Sequence, residues 1–243
     1  MGLNFSKISN ETIVGRILRL PLRLLPTGTV VPVLQGPLRG QKWIVGSSTH
    51  GCWLGTYELP KQLEFARSVK SGDVVYDIGA NVGFYSLLAA VCAGGAGLVY
   101  SFEPAPRNIE LLTRHLALNR VSNCEIVPAA VCAEDGWRMF DLSQGPCTGH
   151  LSSEGSIKVK AVSLDSFLRN GSGIRKPNIL KIDVEGGEFE VLSGASRILS
   201  DYGPQIFLAT HGPEHRSKCC ELLESLSYHL EFLSDDELIA RKS

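Results

Sequence analysis

The sequence predicts an α/β fold, a mostly parallel sheet with helices on both faces. Three observations predict it. Short apolar runs alternate with amphipathic stretches of helical length from residue 57 to the end. Runs such as VVYDIG read as strands buried on both sides, as parallel strands under crossover helices must be. Many of the 25 glycines fall between the two kinds of segment, where the chain has to turn tightly.

Taken in order, residues 1–56 are punctuated by Gly and Pro and hold only short strand-like pieces, TVVPVL and KWIVGS. They are expected as an N-terminal extension (short strands and a helix, contacting substrate or a partner) to a domain over 57–243. Within it, IVGRILRLPLRLL (13–25) alternates Arg with aliphatics and offers a surface for peripheral contact with a membrane or partner. Pro21 breaks any long helix there, so a short packed helix and a loop is the plainer expectation. Gly2 and Ser6 match a loose myristoylation pattern. A helix is expected over 57–70, with Leu59, Leu63, Ala66 and Val69 as its apolar stripe. VVYDIG (74–79) follows as a strand, NVGFYSLLAAVCAGG as a helix ended by Gly94-Gly95, and GLVYSFE (97–103) as a strand. PRNIELLTRHLALNR (106–120) is a helix opened by proline, and CEIVPAAV (124–131) a third strand. The rhythm breaks over 137–162, where WRMFDL and IKVKAVSL read as strands about the polar loop QGPCTGHLSSEGS. It resumes with NILKIDVE (178–185), a helix over GEFEVLSGASRIL, the strand PQIFLAT (204–210) and a helix over EHRSKCCELLESL. The end reads as two strands about Asp235-Asp236.

Composition narrows the function. Hydrophobic residues make up 44% of the 243 positions, which excludes a disordered chain. With 24 Lys+Arg against 25 Asp+Glu the net charge is −1, so no nucleic-acid partner is expected to bind through bulk positive charge. No apolar run approaches the ~18 residues of a membrane span. The N-terminus lacks the pattern of a secretory signal. Seven cysteines, an odd number without C-x-x-C spacing, read as reduced thiols, and a cytoplasmic location is expected.

The chemistry is expected just past the strand ends, where ligands bind in such sheets. The first strand runs into Asp77-Ile78-Gly79-Ala80-Asn81-Val82-Gly83. Small residues there let the backbone turn and approach a ligand closely. The loop lacks the third glycine of a dinucleotide fingerprint and the lysine of a P-loop. An acid ahead of the glycines suits a cationic ligand group instead of a phosphate. Glu103 closes the next strand, twenty residues after Gly83, the offset of a carboxylate that accepts ribose hydroxyls. S-adenosylmethionine fits both ends, its ammonium near Asp77 and its ribose at Glu103.

A second group of charges stands at Lys181, Asp183 and Glu185, which alternate with Leu180, Ile182 and Val184 and so project to one side. Two nearby carboxylates tend to raise one pKa, which suits proton abstraction. The plainer reading is a helix-capping Asp with a Lys–Glu ion pair. His211 follows the next strand and is expected at the same edge, as a base or a structural histidine. Asp183, Glu185 and His211 offer metal-ligating atoms, but their spacing is not diagnostic and no metal is expected.

VVYDIGANVGFYSLLAA, VYSFEPAPRNIELLTRHLALN, VSLDSF and ILKIDVEGGEFEVLSGA together resemble the FkbM family of S-adenosylmethionine-dependent methyltransferases, over roughly 57–232. The resemblance implies a class I methyltransferase fold, a Rossmann-like sheet of seven strands whose last pair forms an antiparallel hairpin. It implies that Asp77, Gly79, Asn81 and Gly83 hold the methionine part of the cofactor, that Glu103 holds the ribose, and that Ala130 flanks the adenine. Glu58 is similar to a family feature near the cofactor, and Asp183 and Glu185 match acids at the methyl-transfer site. The implied reaction is O-methylation of a hydroxyl on a sugar, glycan or secondary metabolite. Leu-Ala-Thr stands before His211 where many relatives carry an acid, which leaves the base open among Asp183, Glu185 and His211. The rival expectations are an inactive S-adenosylmethionine-binding or interaction module, an NAD-dependent oxidoreductase and a nucleic-acid methylase.

Overall fold

The computed structural model of the protein describes residues 25–141, 149–151 and 155–242. The expectations for Gly2, Ser6 and the Arg-aliphatic stretch up to residue 24, and most of the 143–156 loop, lie outside those residues. The chain begins with the paired strands β1 (Val30–Pro32) and β2 (Lys42–Ile44), then α1 (His50–Leu54) and α2 (Leu59–Ser68). An alternating run follows: β3 (Val74–Ile78), α3 (Phe84–Ala93), β4 (Leu98–Phe102), α4 (Pro106–Leu118) and β5 (Cys124–Val127). Next come β6 (Ala130–Val131), β7 (Gly136–Asp141), β8 (His150–Leu151), β9 (Ile157–Val162) and α5 (Leu164–Asn170). The chain then runs through β10 (Ile179–Ile182), α6 (Glu188–Ser193), α7 (Ser196–Asp201), β11 (Gln205–Ala209), α8 (Pro213–Ser225), β12 (Tyr228–Phe232) and β13 (Glu237–Lys242).

Seven strands form the main sheet in the order β12-β13-β11-β10-β3-β4-β5. β5, β4, β3, β10 and β11 are parallel, and β13 and β12 complete the sheet as the antiparallel hairpin expected from the sequence. The strand order reverses between β3 and β10. A crevice opens at such a switch point because the crossovers on either side leave in opposite directions.

Period-two alternation assigns the two faces. Val75, Val99, Ile179, Phe207 and Ile239 face a core shared with Phe65 of α2 and with Leu87 and Leu88 of α3. Tyr76, Ile78, Leu180, Ile182 and Leu208 face the other core, against α6, α7 and α8. Helix α3 is buried almost all round, as its sequence FYSLLAAVCA, with two hydroxyls and no charge, requires. Residues 25–56 supply its cover: Trp43, Trp53 and Leu54 are buried in the same core, and Trp43 meets Phe84 edge-on at 5.7 Å.

Several expectations change. CEIVPAAV is not one strand. Pro128 offers no N–H to a ladder, so β5 stops at Val127 and β6 pairs with β9 in a separate four-stranded sheet, β6-β9-β7-β8. The helix over GEFEVLSGASRIL is two, parted at Gly194-Ala195, and a Cβ on Gly194 would stand 2.2 Å from the Cys132 carbonyl oxygen, so only glycine fits at the break. VSLDSFL begins helix α5, capped by the Ser163 hydroxyl accepting from the Ser166 N–H at 3.2 Å. On α2 the inward stripe passes through Gln62 and Phe65 and is continued by Val69 just past its end, while Leu63 is 40% exposed. Its buried Lys61 belongs to the charge network described next.

Candidate active site

A cavity of about 930 Å³ opens over the carboxyl ends of β3, β4 and β10, as the switch point demands. Its floor is the loop after β3. There Gly79, Asn81 and Gly83 have φ of 76, 51 and 92°, left-handed values that glycine and asparagine tolerate best. A Cβ on Gly79 would stand 1.9 Å from the Asp183 carbonyl oxygen. The glycine therefore lets the β3 and β10 loops touch. The Gly79 and Ala80 N–H groups both donate to the Phe102 carbonyl, at 3.1 and 2.9 Å, which draws the loop against the end of β4.

Glu103 stands at that junction, 4% exposed and on the cavity wall. Its Oε2 accepts from the Asn81 N–H at 2.8 Å, and its Oε1 accepts from the Ala105 N–H at 2.9 Å and the Asn108 amide at 3.2 Å. Burial pushes the Glu103 carboxyl above the usual range, and these three donors work against that rise. The carboxylate is fixed in place by the ends of both strands. Ala130, at the start of β6, lines the same cavity.

Asp77 and Gly83 lie behind this wall. Asp77 is fully buried, accepts from the Ser86 hydroxyl at 2.6 Å, and stands 3.4 Å from the Lys181 ammonium. Lys181 also reaches Asp183 at 3.6 Å and donates to the Gly79 carbonyl at 3.3 Å. Burial works against the lysine's charge, but Asp77 and Asp183 more than offset it and hold the ammonium above its ordinary range. Burial likewise opposes ionisation of Asp183, while Lys181, Lys61 and His211 pull its carboxyl below the usual range.

Asp183 and Glu185 also line a second, smaller cavity of about 430 Å³ with His211, Glu58 and the Asp236–Glu237 turn. The His211 Nε2 stands 3.3 Å from Glu185 and 3.9 Å from Asp183, and its Nδ1 donates to the fully buried Glu188 at 2.8 Å. The hydrogen bond to Glu188 lifts His211 to about 9 against its burial, with Glu185 and Asp183 adding to the rise. One ligand atom each from Asp183, Glu185 and His211 lie within 4.8 Å of one another, a set able to hold a metal ion.

Of the residues singled out from the sequence, Gly79, Asn81, Glu103 and Ala130 share the larger cavity, and Asp183 and Glu185 join it to the smaller one. Glu58 faces the smaller cavity, where it accepts from the Tyr85 hydroxyl at 2.9 Å and pairs with Lys61 at 3.2 Å. Lys61 in turn bonds Glu237 at 2.8 Å. Sequence reasoning passed over Lys61, Tyr57, Glu188 and the Ser48–Cys52 edge of the larger cavity. Only Glu188 carried a local signal, the Gly186-Gly187-Glu188 that follows the strand end.

Residues 77–235 match the methyltransferase FkbM domain family. The chain is 33% identical to the hexuronic acid methyltransferase AglP of Haloferax volcanii over 136 residues, 52% of each protein. It is 29% identical to the 31-O-demethyl-FK506 methyltransferase FkbM of Streptomyces tacrolimicus over 164 residues, 52% of this chain and 60% of that one. The chain thus spans about half the length of the curated relatives it matches. The fold is similar to that of a SAM-dependent O-methyltransferase from Thermotoga maritima, with a TM-score of 0.52 at 12% identity over 91% of this chain and 80% of that one.

Proposed function

Since the chain belongs to the FkbM methyltransferase domain family, we propose that it transfers a methyl group from S-adenosylmethionine to a hydroxyl of a sugar, glycan or secondary metabolite. The observation that carries this reading is the continuous wall from Ala130 through Glu103 and Gly79 to Asp183 and Glu185. It sets a nucleoside-sized slot beside a pair of acids at the switch point. The relatives are a hexuronic acid methyltransferase and a 31-O-demethyl-FK506 methyltransferase, which supports a hydroxyl acceptor here.

The wall suits an adenosyl ligand. A buried carboxylate, held from behind by three donors, faces a cavity with apolar surface at Phe102 and Ala130. Glu103 would accept the ribose hydroxyls, Ala130 would flank the base, and the Gly79–Asn81 backbone would hold the amino-acid end. Asp77 and Gly83 act behind the wall. The first anchors Lys181, and the second lets the loop pack on Leu112, whose Cδ1 would stand 2.3 Å from a Cβ there. S-adenosylmethionine supplies the activated methyl when bound.

The chain's own residues orient the acceptor oxygen. Asp183 and Glu185 stand where the cofactor slot meets the smaller cavity, so both can accept from a hydroxyl entering there. Lys181 and Lys61 keep Asp183 ionised, ready to take the hydroxyl proton as the new C–O bond forms. Holding oxygen, methyl and leaving sulfur in line is worth roughly 7–11 kcal/mol in well-oriented systems.

Methyl transfer from radiolabelled S-adenosylmethionine to a panel of hexosides and glycan extracts tests the reading. Asp183→Ala is expected to reduce turnover by at least about a hundredfold, in line with the loss of a positioned proton acceptor. Binding of S-adenosylhomocysteine by that variant should change less than about threefold. Unchanged turnover in Asp183→Ala would remove it from the mechanism.

A further inference from the structure

We propose that Asp183, Glu185 and His211 form a site for one divalent cation of the oxygen-preferring class, Mg²⁺ or Mn²⁺, facing the smaller cavity. The ligand set is mixed, two carboxylates and one imidazole, which suits a hard or intermediate ion. The distances carry the geometry. A charge-assisted hydrogen bond is about 2.7–2.9 Å long, and the His211 Nδ1 to Glu188 contact has that length at 2.8 Å. The other ring nitrogen stands at 3.3 Å from Glu185 and 3.9 Å from Asp183. Bonds of about 2.1–2.4 Å to one ion place neighbouring ligand atoms roughly 3.0–3.4 Å apart; the spacing to Glu185 falls in that range, and the 3.9 Å to Asp183 lies beyond it. One ligand atom from each of the three side chains lies within 4.8 Å of the others, and binding an ion would draw them inward.

A second observation concerns how the imidazole is held. Metal-ligating histidines usually donate their second ring N–H to a carboxylate, which fixes the tautomer and the ring plane. Glu188 does this from full burial, and the Gly186 N–H, at 2.9 Å, holds the same oxygen. The Nε2 is thereby aimed between Asp183 and Glu185. The surroundings favour positive charge as well. Five carboxylates line the smaller cavity against two nearby ammonium groups, Lys61, held by Glu58 and Glu237, and Lys181, shared between Asp77 and Asp183. The 430 Å³ of open space leaves coordination positions for water or for acceptor oxygens. Coordination through Nε2 sends any proton there to solvent. The ion's role rests on the proposed function: it would bind the acceptor hydroxyl, with a neighbouring oxygen where the acceptor has one, and make its proton easier to lose.

The test is titration of the full chain with Mn²⁺ followed by electron paramagnetic resonance, without cofactor or acceptor. One Mn²⁺ per chain is expected, displaced by Mg²⁺. His211→Ala and Asp183→Asn should each weaken binding at least tenfold, and Glu188→Gln by 10- to 100-fold through loss of ring positioning. Asp236→Asn, on the same cavity but outside the triad, should leave it within about twofold, which separates ligation from general acidity. S-adenosylhomocysteine binding checks that each variant is folded. Absence of stoichiometric Mn²⁺ at millimolar concentration overturns the site, and so does binding that survives in both His211→Ala and Asp183→Asn. Mn²⁺ bound here in a chain that methylates no hydroxyl acceptor would overturn the proposed reaction and leave the ion site standing. Full methyl transfer in EDTA overturns the ion's role in the reaction alone.

Discussion

A single methyl group at residue 79 is enough to force two loops apart. The Cβ of Gly79→Ala would fall 1.9 Å from the Asp183 carbonyl, at a φ of 76° that alanine disfavours. The variant should lose at least about 2 kcal/mol of stability by urea unfolding, with S-adenosylhomocysteine affinity reduced more than tenfold. A variant that binds and unfolds like the parent would show that the contact between loops is dispensable. Glycines of this kind were legible in the sequence because the requirement is local: a strand end, a turn, a helix start. Glu103 was legible for the same reason, through its fixed offset from the loop. Lys61 was not. It sits on a helix face that the apolar spacing assigns outward, and only the fold brings Glu58 and Glu237 against it. Glu188 stood out only as the acid after two glycines, and its partner His211 arrives from the far end of β11, which the local sequence does not announce.

At the scale of elements, the joint between β2 and α4 shows how the N-terminal segment is fastened. Trp43 stacks on His115 with ring centroids 3.8 Å apart, and the Asn119 side chain bonds both the N–H and the carbonyl of Lys42. His115 Nε2 accepts from the Ile44 N–H at 3.2 Å, and its Nδ1 donates to the Val82 carbonyl at 2.7 Å. Both nitrogens are occupied by the neutral ring, and burial pushes His115 down to about 4. In the unfolded chain it protonates near ~6.5. Above that pH neither state binds the proton and the residue contributes nothing to the pH dependence. Between pH 6.5 and 4 only the unfolded state binds it, so stability falls as the pH falls, by up to about 1.4 kcal/mol per unit and about 3 kcal/mol in all. Denaturant melts of the protein and of His115→Gln across that window check this. The variant should lose about one proton's worth of slope, and parallel curves would contradict it. Elements were legible wherever periodicity ran undisturbed, as in α4 and α8. They were misread at Pro128 and Gly194, where one residue divides a continuous apolar pattern.

For the whole molecule, the alternation of strands and helices foretold the parallel core and the closing hairpin, but it left residues 25–56 as an extension. The fold makes them part of the core. Leu38, Trp43, Trp53 and Leu54 are each no more than 4% exposed, and burying one such side chain is worth about 1.5–3 kcal/mol. Together they are comparable to the whole net stability of an ordinary domain, about 5–15 kcal/mol. A chain starting at Tyr57 should therefore lose its cooperative thermal transition, and a sharp transition near that of the full chain would refute this. That dependence was not legible because no pattern within 1–56 points to α3, the helix it covers. The central claim is that the 930 Å³ cavity holds an adenosyl ligand with its ribose on Glu103. Calorimetric titration of S-adenosylhomocysteine into the protein and into Glu103→Ala tests it most directly. Saturable one-to-one binding is expected, weakened at least tenfold in the variant by loss of hydrogen bonds to a charged acceptor. No saturable binding to the parent protein, or equal affinity in Glu103→Ala, would contradict it.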